Sequence, residues 1–211
     1  MRFLLVIGGG STALEIRECA DLFYKDLFEK IYNVIGDNEE STLSNIIHDS
    51  EVDSFIANNN EVAFIIGFTN QKLRKLFNEK LHACEPVSIV HPTAFISPSA
   101  TIGEGSYVGA TAVVSSNTRV GKGCIVNIGV SVGHDAVVGD DCIFNPGARI
   151  SGHCQIGSRT LFGANSFIFQ GRTVGEDCAI DALTYIDRDI EDKKLCTSNV
   201  GGMKVFKNRI F

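Results

Sequence analysis

From Val90 onward a hydrophobic residue returns at every sixth position without a slip: Val90, Ile96, Ile102, Val108, Val114, Val120, Val126, Val132, Val138, Phe144, Ile150, Ile156, Phe162, Ile168, Val174, Ile180 and Ile186. All seventeen are aliphatic or Phe in a chain that is only 44% hydrophobic, so the register is not a chance run. Four residues after each, the side chain is almost always small: Ala94, Ala100, Ser106, Ala112, Thr118, Cys124, Val130, Ala136, Cys142, Ala148, Cys154, Thr160, Ser166, Cys178 and Thr184. The residue directly after the apolar one is often Gly, as at Gly103, Gly109, Gly121, Gly133, Gly139, Gly157, Gly163 and Gly175, with Asn127 and Asn145 as substitutes. Gly and Asn share a tolerance for unusual turn dihedrals, and that is the role expected of them here. One large and one small inward side chain in each six-residue step describes a parallel β-helix of triangular section. Residues 90–191 then make roughly five to six coils of about 18 residues each.

Residues 1–85 follow another pattern. Arg2–Ile7 is a short apolar strand that ends in Gly8-Gly9-Gly10. Ser11 to Lys30 suits an amphipathic helix with Leu14, Cys19, Leu22, Phe23 and Leu27 on its apolar face. A second strand fits Ile31–Ile35 and stops at Gly36-Asp37-Asn38. A third, Val62–Gly67, precedes a helix over Asn70–Leu81. The order is a small β-α-β-(α)-β-α, Rossmann-like unit with a parallel sheet. Pro86 and Pro92 mark the passage into the coils, giving domains at 1–85 and 86–211. Asp192–Phe211 loses the register and is expected to cap the stack or reach a neighbour.

Composition narrows the function. The chain has 211 residues with 19 Lys and Arg against 25 Asp and Glu, a formal net charge of −6. No basic stripe offsets that sign, which argues against a nucleic-acid or anionic-membrane partner. No apolar run approaches the ~20 residues of a membrane span, and Met1–Gly10 lacks the features of a cleaved leader, so a cytoplasmic protein is expected. The seven cysteines contain no Cys-x-x-Cys. Cys124, Cys142, Cys154 and Cys178 take the small inward slot, where Cys behaves as a compact hydrophobe, and no metal is expected.

Two places could carry chemistry. The glycine run after the first strand sets backbone N–H groups at a helix start, where a phosphate can sit. It does not spell G-x-G-x-x-G, because Ala13 takes the sixth position, and a bare strand-to-helix turn would read the same. Asp37, at the tip of the second strand, could accept from a ribose or base, or be a solvated turn residue. The second place is His134-Asp135. On a coil of about 18 residues, His134 stacks between Ser116 and Gly152, and Asp135 stacks on His153. A carboxylate beside the imidazole and a glycine one coil away suit a general base facing an oxyanion donor. His153 is a second candidate; His48, His82 and His91 have no supporting constellation.

The repeat, with Asn127-Ile-Gly-Val-Ser-Val-Gly-His134-Asp135 as its most specific piece, resembles the left-handed β-helix of hexapeptide acyltransferases. With the N-terminal unit, the whole chain is similar to the bacterial sugar O-/N-acyltransferase family that contains sialic acid O-acetyltransferases and nucleotide-4-aminosugar N-acetyltransferases. The resemblance implies His134 as general base, Asp135 as its polarising acid and Asn127 as a supporting residue. It implies Gly152 as the N–H facing the thioester carbonyl, and coenzyme A contacts at Gly152, Ala164, Ala182 and Ile143. In the N-terminal unit it implies a nucleotide-sugar site at Gly8, Gly9, Gly10, Ser11, Thr12, Asp37, Asn38, Gly67 and Asn70.

Two departures stand out: no His near Thr12, and Asp181-Ala182-Leu183 and Asn199-Val200-Gly201-Gly202 where a Gly-rich final coil and a Pro-containing exit are usual. The implied partners are acetyl-CoA, a nucleotide-activated amino sugar and two further copies of the chain in a homotrimer. The implied reaction is N-acetylation of a UDP- or dTDP-linked 4-amino-4,6-dideoxy sugar for surface glycan or glycoprotein synthesis. O-acetylation of sialic acid or another free sugar is the alternative. A purely structural or ice-binding β-helix would want flat arrays of Thr, which this chain lacks.

Overall fold

The computed structural model describes residues 2–199 and 202–207. The chain divides into two compact units, Met1–Ile89 and Val90–Phe211.

The first unit runs β1 (Arg2–Ile7), α1 (Ser11–Phe23), β2 (Lys30–Ile35), β3 (Ile46–His48), α2 (Val52–Asn58), β4 (Glu61–Ile66), α3 (Gln71–Lys80) and β5 (Glu85–Pro86). Its sheet is parallel throughout, in the order β3-β2-β1-β4-β5. Central strands of such a sheet are covered on both faces and read as continuous apolar runs. Leu4, Leu5, Val6 and Ile7 of β1 are accordingly all fully buried. The edge strands β3 and β5 are too short to show a period, and sequence reading passes over them. Asn70 caps α3 by accepting from the Leu73 N–H at 3.1 Å, so that helix starts at Gln71.

Helix α1 corrects the expected span and the expected face. It stops at Phe23, and its buried side is Ala13, Ile16, Arg17, Cys19 and Ala20. Leu22, Phe23 and Leu27 are exposed, so Cys19 alone of the five predicted face residues is buried. The cause is close approach: a Cβ on Gly67 would lie 2.6 Å from the Ala13 Cα. A helix seated that tightly must turn its small residues inward, whatever its larger ones favour.

In the second unit, two-residue strands pair in parallel with strands 18 positions on, as in Val114 with Val132, Val120 with Val138 and Val126 with Phe144. Three sheets result. Register positions from Val108 to Ile186 are buried, as are the small slots from Ser106 to Ser166; Val90, Ile96 and Ile102, in the first coil, are only partly covered. Each fully buried Val, Ile or Phe contributes about 1.5–3 kcal/mol before entropy is subtracted.

The glycines after the apolar positions do something other than expected. None of the eight has a positive φ. The left-handed conformation falls two residues later, at Gly105, Thr111, Asn117, Gly123, Gly129, Asp135, Asp141, Gly147, His153 and onward every sixth residue. Gly133 and its counterparts are required by space: a Cβ on Gly133 would stand 2.5 Å from the Gly152 nitrogen in the next coil.

The stack also continues past the point where its register was expected to end. Two residues are missing from the turn after Ile186, so Val174 bridges to Ile190, and Ile180 pairs with Cys196. Ile190 and Cys196 are buried in line with the core. Lys194–Asn199 then pairs antiparallel with Gly202–Lys207, adding a hairpin to one face. Of the expected exit, Val200 and Gly201 lie outside the described residues.

Candidate active site

Two consecutive coils build the constellation around His134. The His134 carbonyl accepts from the His153 N–H at 2.8 Å, and the Ser116 carbonyl from the Asp135 N–H at 2.9 Å, so the backbone carrying all three side chains is fixed by rungs. Asp135 and His153 both sit in the left-handed region, with φ of 57° and 59°. That corner conformation turns the side chains outward, and the Asp135 carboxylate comes 2.8 Å from His134 Nδ1. Its other oxygen, Oδ1, accepts from Asn117 Nδ2 at 3.1 Å. His134, followed by Asn117, holds the Asp135 carboxyl below the usual carboxylate range. An ionised acceptor on Nδ1 selects the tautomer with a proton there, leaving Nε2 with its lone pair.

Nε2 lies over Gly152. A Cβ built on that residue would be 2.6 Å from it, so only glycine accommodates the ring in this position. The Gly152 N–H has no hydrogen-bond partner among the described residues, whereas its carbonyl accepts from Gly171. Gly133, lacking a Cβ, leaves that N–H uncovered. The imidazole is half exposed, and a base, its orienting acid and a free N–H therefore share one open corner of the prism.

The other expected residues separate into groups. The Ala164 N–H is likewise unpaired among the described residues. The Ala182 N–H, at an expected coenzyme A contact, donates to Asp181 Oδ1 at 2.8 Å. The cause lies in the sequence, where an acid precedes it. Ile143, another expected coenzyme A contact, is fully buried. Asn127 accepts from the Ile128 N–H at 2.8 Å, closing its own turn, and no hydrogen bond joins it to His134 among the described residues.

In the α/β unit, Gly8 has φ of 125° and donates to the Val34 carbonyl at 2.7 Å. Gly10 then opens α1 with no side-chain cap, so Ser11, Thr12 and Ala13 begin the helix with first-turn N–H groups that the helix itself cannot satisfy. Sequence reading missed what holds this turn. Asn33 is fully buried on β2, donates to the Gly8 carbonyl at 2.9 Å and accepts from Arg17 Nη1 at 2.9 Å. Arg17 in turn pairs with Asp21 at 2.7 Å. A polar residue in the middle of the apolar Ile31–Ile35 run was the available signal.

Asp37 lies beside Asn38, Glu39, Ser41 and His48 on a cavity of about 620 Å³. Its Oδ1 accepts from the Ser50 N–H at 2.9 Å, and that bond holds its carboxyl below the usual range. Glu39 places its carboxylate against both Gly9 and Gly36, within about 3.4 Å of where a Cβ would sit on either. Gly67 serves the close seating of α1, and the Asn70 carbonyl oxygen is committed to its helix cap.

Comparison with known proteins agrees with this architecture. Residues 117–152 match the model of the bacterial transferase hexapeptide (six repeats), and residues 154–188 that of the hexapeptide repeat of succinyl-transferase. No curated protein sequence matches the chain. Among solved structures, the acetyltransferase domain of PglB from Neisseria gonorrhoeae is 27% identical with a TM-score of 0.86, covering 98% of this chain and 100% of that one. The same domain has been solved with acetyl coenzyme A, at 26% identity. Perosamine N-acetyltransferase from Caulobacter crescentus, solved with CoA and GDP-perosamine, shares the fold at 24% identity and a TM-score of 0.87 over 98% and 97% of the two chains. By its hexapeptide repeats and its fold, the chain is similar to these acetyltransferases and shares their left-handed β-helix architecture.

Proposed function

We propose that the protein is an acetyl-CoA-dependent N-acetyltransferase acting on the 4-amino group of a nucleotide-linked 4-amino-4,6-dideoxy sugar. The observation that carries this reading is His134: its Nδ1 is held by Asp135 and its Nε2 is directed across Gly152. The acceptor amine attacks the thioester carbonyl, forming the C–N bond, while Nε2 takes the amine proton. The Gly152 N–H stabilises the resulting oxyanion. Collapse breaks the C–S bond, and the imidazolium returns its proton to the departing thiolate of coenzyme A. Every cysteine is buried, so no thiol is placed to form an acyl-enzyme, and direct transfer is the reading that fits.

Gly8 to Thr12, with Asp37 and Asn38, are proposed to hold the nucleotide part, supported by the first-turn N–H groups of α1 and the adjoining cavity. The similar Caulobacter enzyme binds GDP-perosamine, which extends the acceptor set beyond UDP and dTDP sugars. A homotrimer in the cytoplasm completes the proposal. On one prism face the exposed pairs Phe95–Val113 and Phe167–Tyr185, separated by Ser131 and Arg149, offer apolar surface for threefold closure.

The test is incubation with acetyl-CoA and UDP-, dTDP- and GDP-linked 4-amino sugars plus free sialic acid, with product mass as the readout. Acetylation of an amino-sugar nucleotide, reduced about 10²–10⁴-fold in His134→Ala, is the expected outcome. Acetylation of sialic acid alone would keep the base and overturn the nucleotide-sugar assignment. Normal turnover by His134→Ala would overturn the base.

A further inference from the structure

One feature of the His134 corner is not used by acyl transfer: a second imidazole. His153 Nε2 stands 3.8 Å from Asp135 Oδ2, the oxygen that His134 Nδ1 meets at 2.8 Å. The two rings meet edge to face with centroids 4.9 Å apart. One ligand atom from each of His134, Asp135 and His153 lies within 4.8 Å of the others. We infer that these three side chains form an inhibitory binding site for a borderline divalent transition metal such as Zn²⁺.

The donor set is two imidazoles and one carboxylate, which suits zinc and its transition-metal neighbours rather than Mg²⁺ or Ca²⁺. Ligand atoms about 2.0–2.2 Å from a shared zinc ion stand at most roughly 4 Å apart, so closing the site takes only small rotations. All three side chains are exposed enough to make them, at 51%, 38% and 54% for His134, Asp135 and His153. The backbone is already set by the His153 to His134 rung and by two left-handed corners stacked one coil apart. Asn117, bonded to Oδ1, orients the carboxylate and leaves Oδ2 for the ion, the arrangement in which an outer contact fixes a ligand. A fourth position stays open to water.

Inhibition follows from the tautomer, and this step rests on the proposed role of His134. The ion takes the Nδ1 lone pair, since that is the nitrogen facing Asp135, and the imidazole proton then resides on Nε2. An Nε2–H cannot accept the proton of an attacking amine. The seven cysteines are buried and do not compete for the ion.

The full chain, stripped with EDTA, is titrated with Zn²⁺ by calorimetry and with Co²⁺ by visible absorption, alongside His153→Gln. One equivalent of tight binding with a Co²⁺ ligand-field band is expected. Removing an outer contact usually weakens a metal site 10–100-fold, so loss of the His153 ligand should weaken this one by at least about tenfold. Acetylation measured for each variant relative to its own rate in chelator should show zinc inhibition shifted by the same factor. Equal zinc affinity in wild type and His153→Gln, or no stoichiometric binding, would overturn the site. Stoichiometric binding that leaves acetylation untouched would uphold the site and overturn His134 as the base.

Discussion

In the coil unit the reactive corner is placed by backbone. His134, Asp135 and their contacts Asn117, Gly152 and His153 stand on rungs one coil apart, and the period of 18 decides which residues meet. In the α/β unit the glycine turn is placed by side chains far apart in sequence: Arg17 on α1 and Asn33 on β2 hold the Gly8 carbonyl. A repeating fold can therefore vary an outward side chain without moving its neighbours, because the inward stack carries the stability. In the α/β unit the same buried polar contacts serve stability and site geometry together. Substitutions should separate stability from activity in the coil unit to a degree they cannot in the α/β unit.

The largest effect is expected from the core. Phe144 and Phe162 are fully buried and stacked at 5.3 Å in adjacent coils. Phe162→Ala should cost about 3–5 kcal/mol, read as a lower urea midpoint for the coil unit. His134→Ala should leave that midpoint unchanged, since the side chain is half exposed. If His134→Ala destabilises as Phe162→Ala does, the division between core and corner is wrong.

Gly152→Ala comes next and acts on the corner alone. The added Cβ falls 2.6 Å from His134 Nε2, so the ring must move. A displacement of about 1 Å at a reacting group can cost about 100-fold in kcat, and that is the expected loss, with the urea midpoint retained. An unaltered kcat would show that Nε2 does not work from this position.

Asn33→Ala should behave otherwise, lowering stability and ligand binding together. It leaves the Gly8 carbonyl and a buried Arg17 nitrogen each short of a partner, at about 1–3 kcal/mol. Weaker binding of nucleoside diphosphates should accompany the loss, measured by calorimetry on the folded variant. Loss of stability with full nucleotide affinity would separate this network from the turn it supports.

The same contrast explains how much could be read from the chain. The stacking of Asp135 on His153 followed from counting 18 along the register, as did the inward cysteines; the Asn117 contact with Asp135 was not read from it. What counting missed was local or long-range chemistry. The role of Gly133 is a question of distance to the next coil, invisible to a conformational preference. The Ala182 N–H was lost to Asp181, one residue away, and the two-residue shortening after Ile186 hid a further turn of core at Ile190 and Cys196. In the α/β unit, the face of α1 was misread because the tight seating of Ala13 against Gly67 outweighs the pattern of larger residues.

The smallest expected effect is a pH dependence that compares one carboxylate from each unit. Asp135 is held below its ordinary range first by His134, and Asp37 first by the Ser50 N–H. A carboxyl whose folded value is depressed binds its proton more readily in the unfolded chain. The stability it contributes is therefore complete above the unfolded value near 3.8 and is lost as pH falls through the lower folded value. Both groups are solvent-exposed, so the slope each adds to the melting temperature below pH 4 should be slight. Asp135→Asn and Asp37→Asn should each flatten the acid limb. The double variant should show the sum of the two changes, because the carboxylates contact different groups in different units. If Asp135→Asn flattened nothing while Asp37→Asn did, the His134 to Asp135 contact would not persist in solution, and the tautomer assigned to His134 would lose its support.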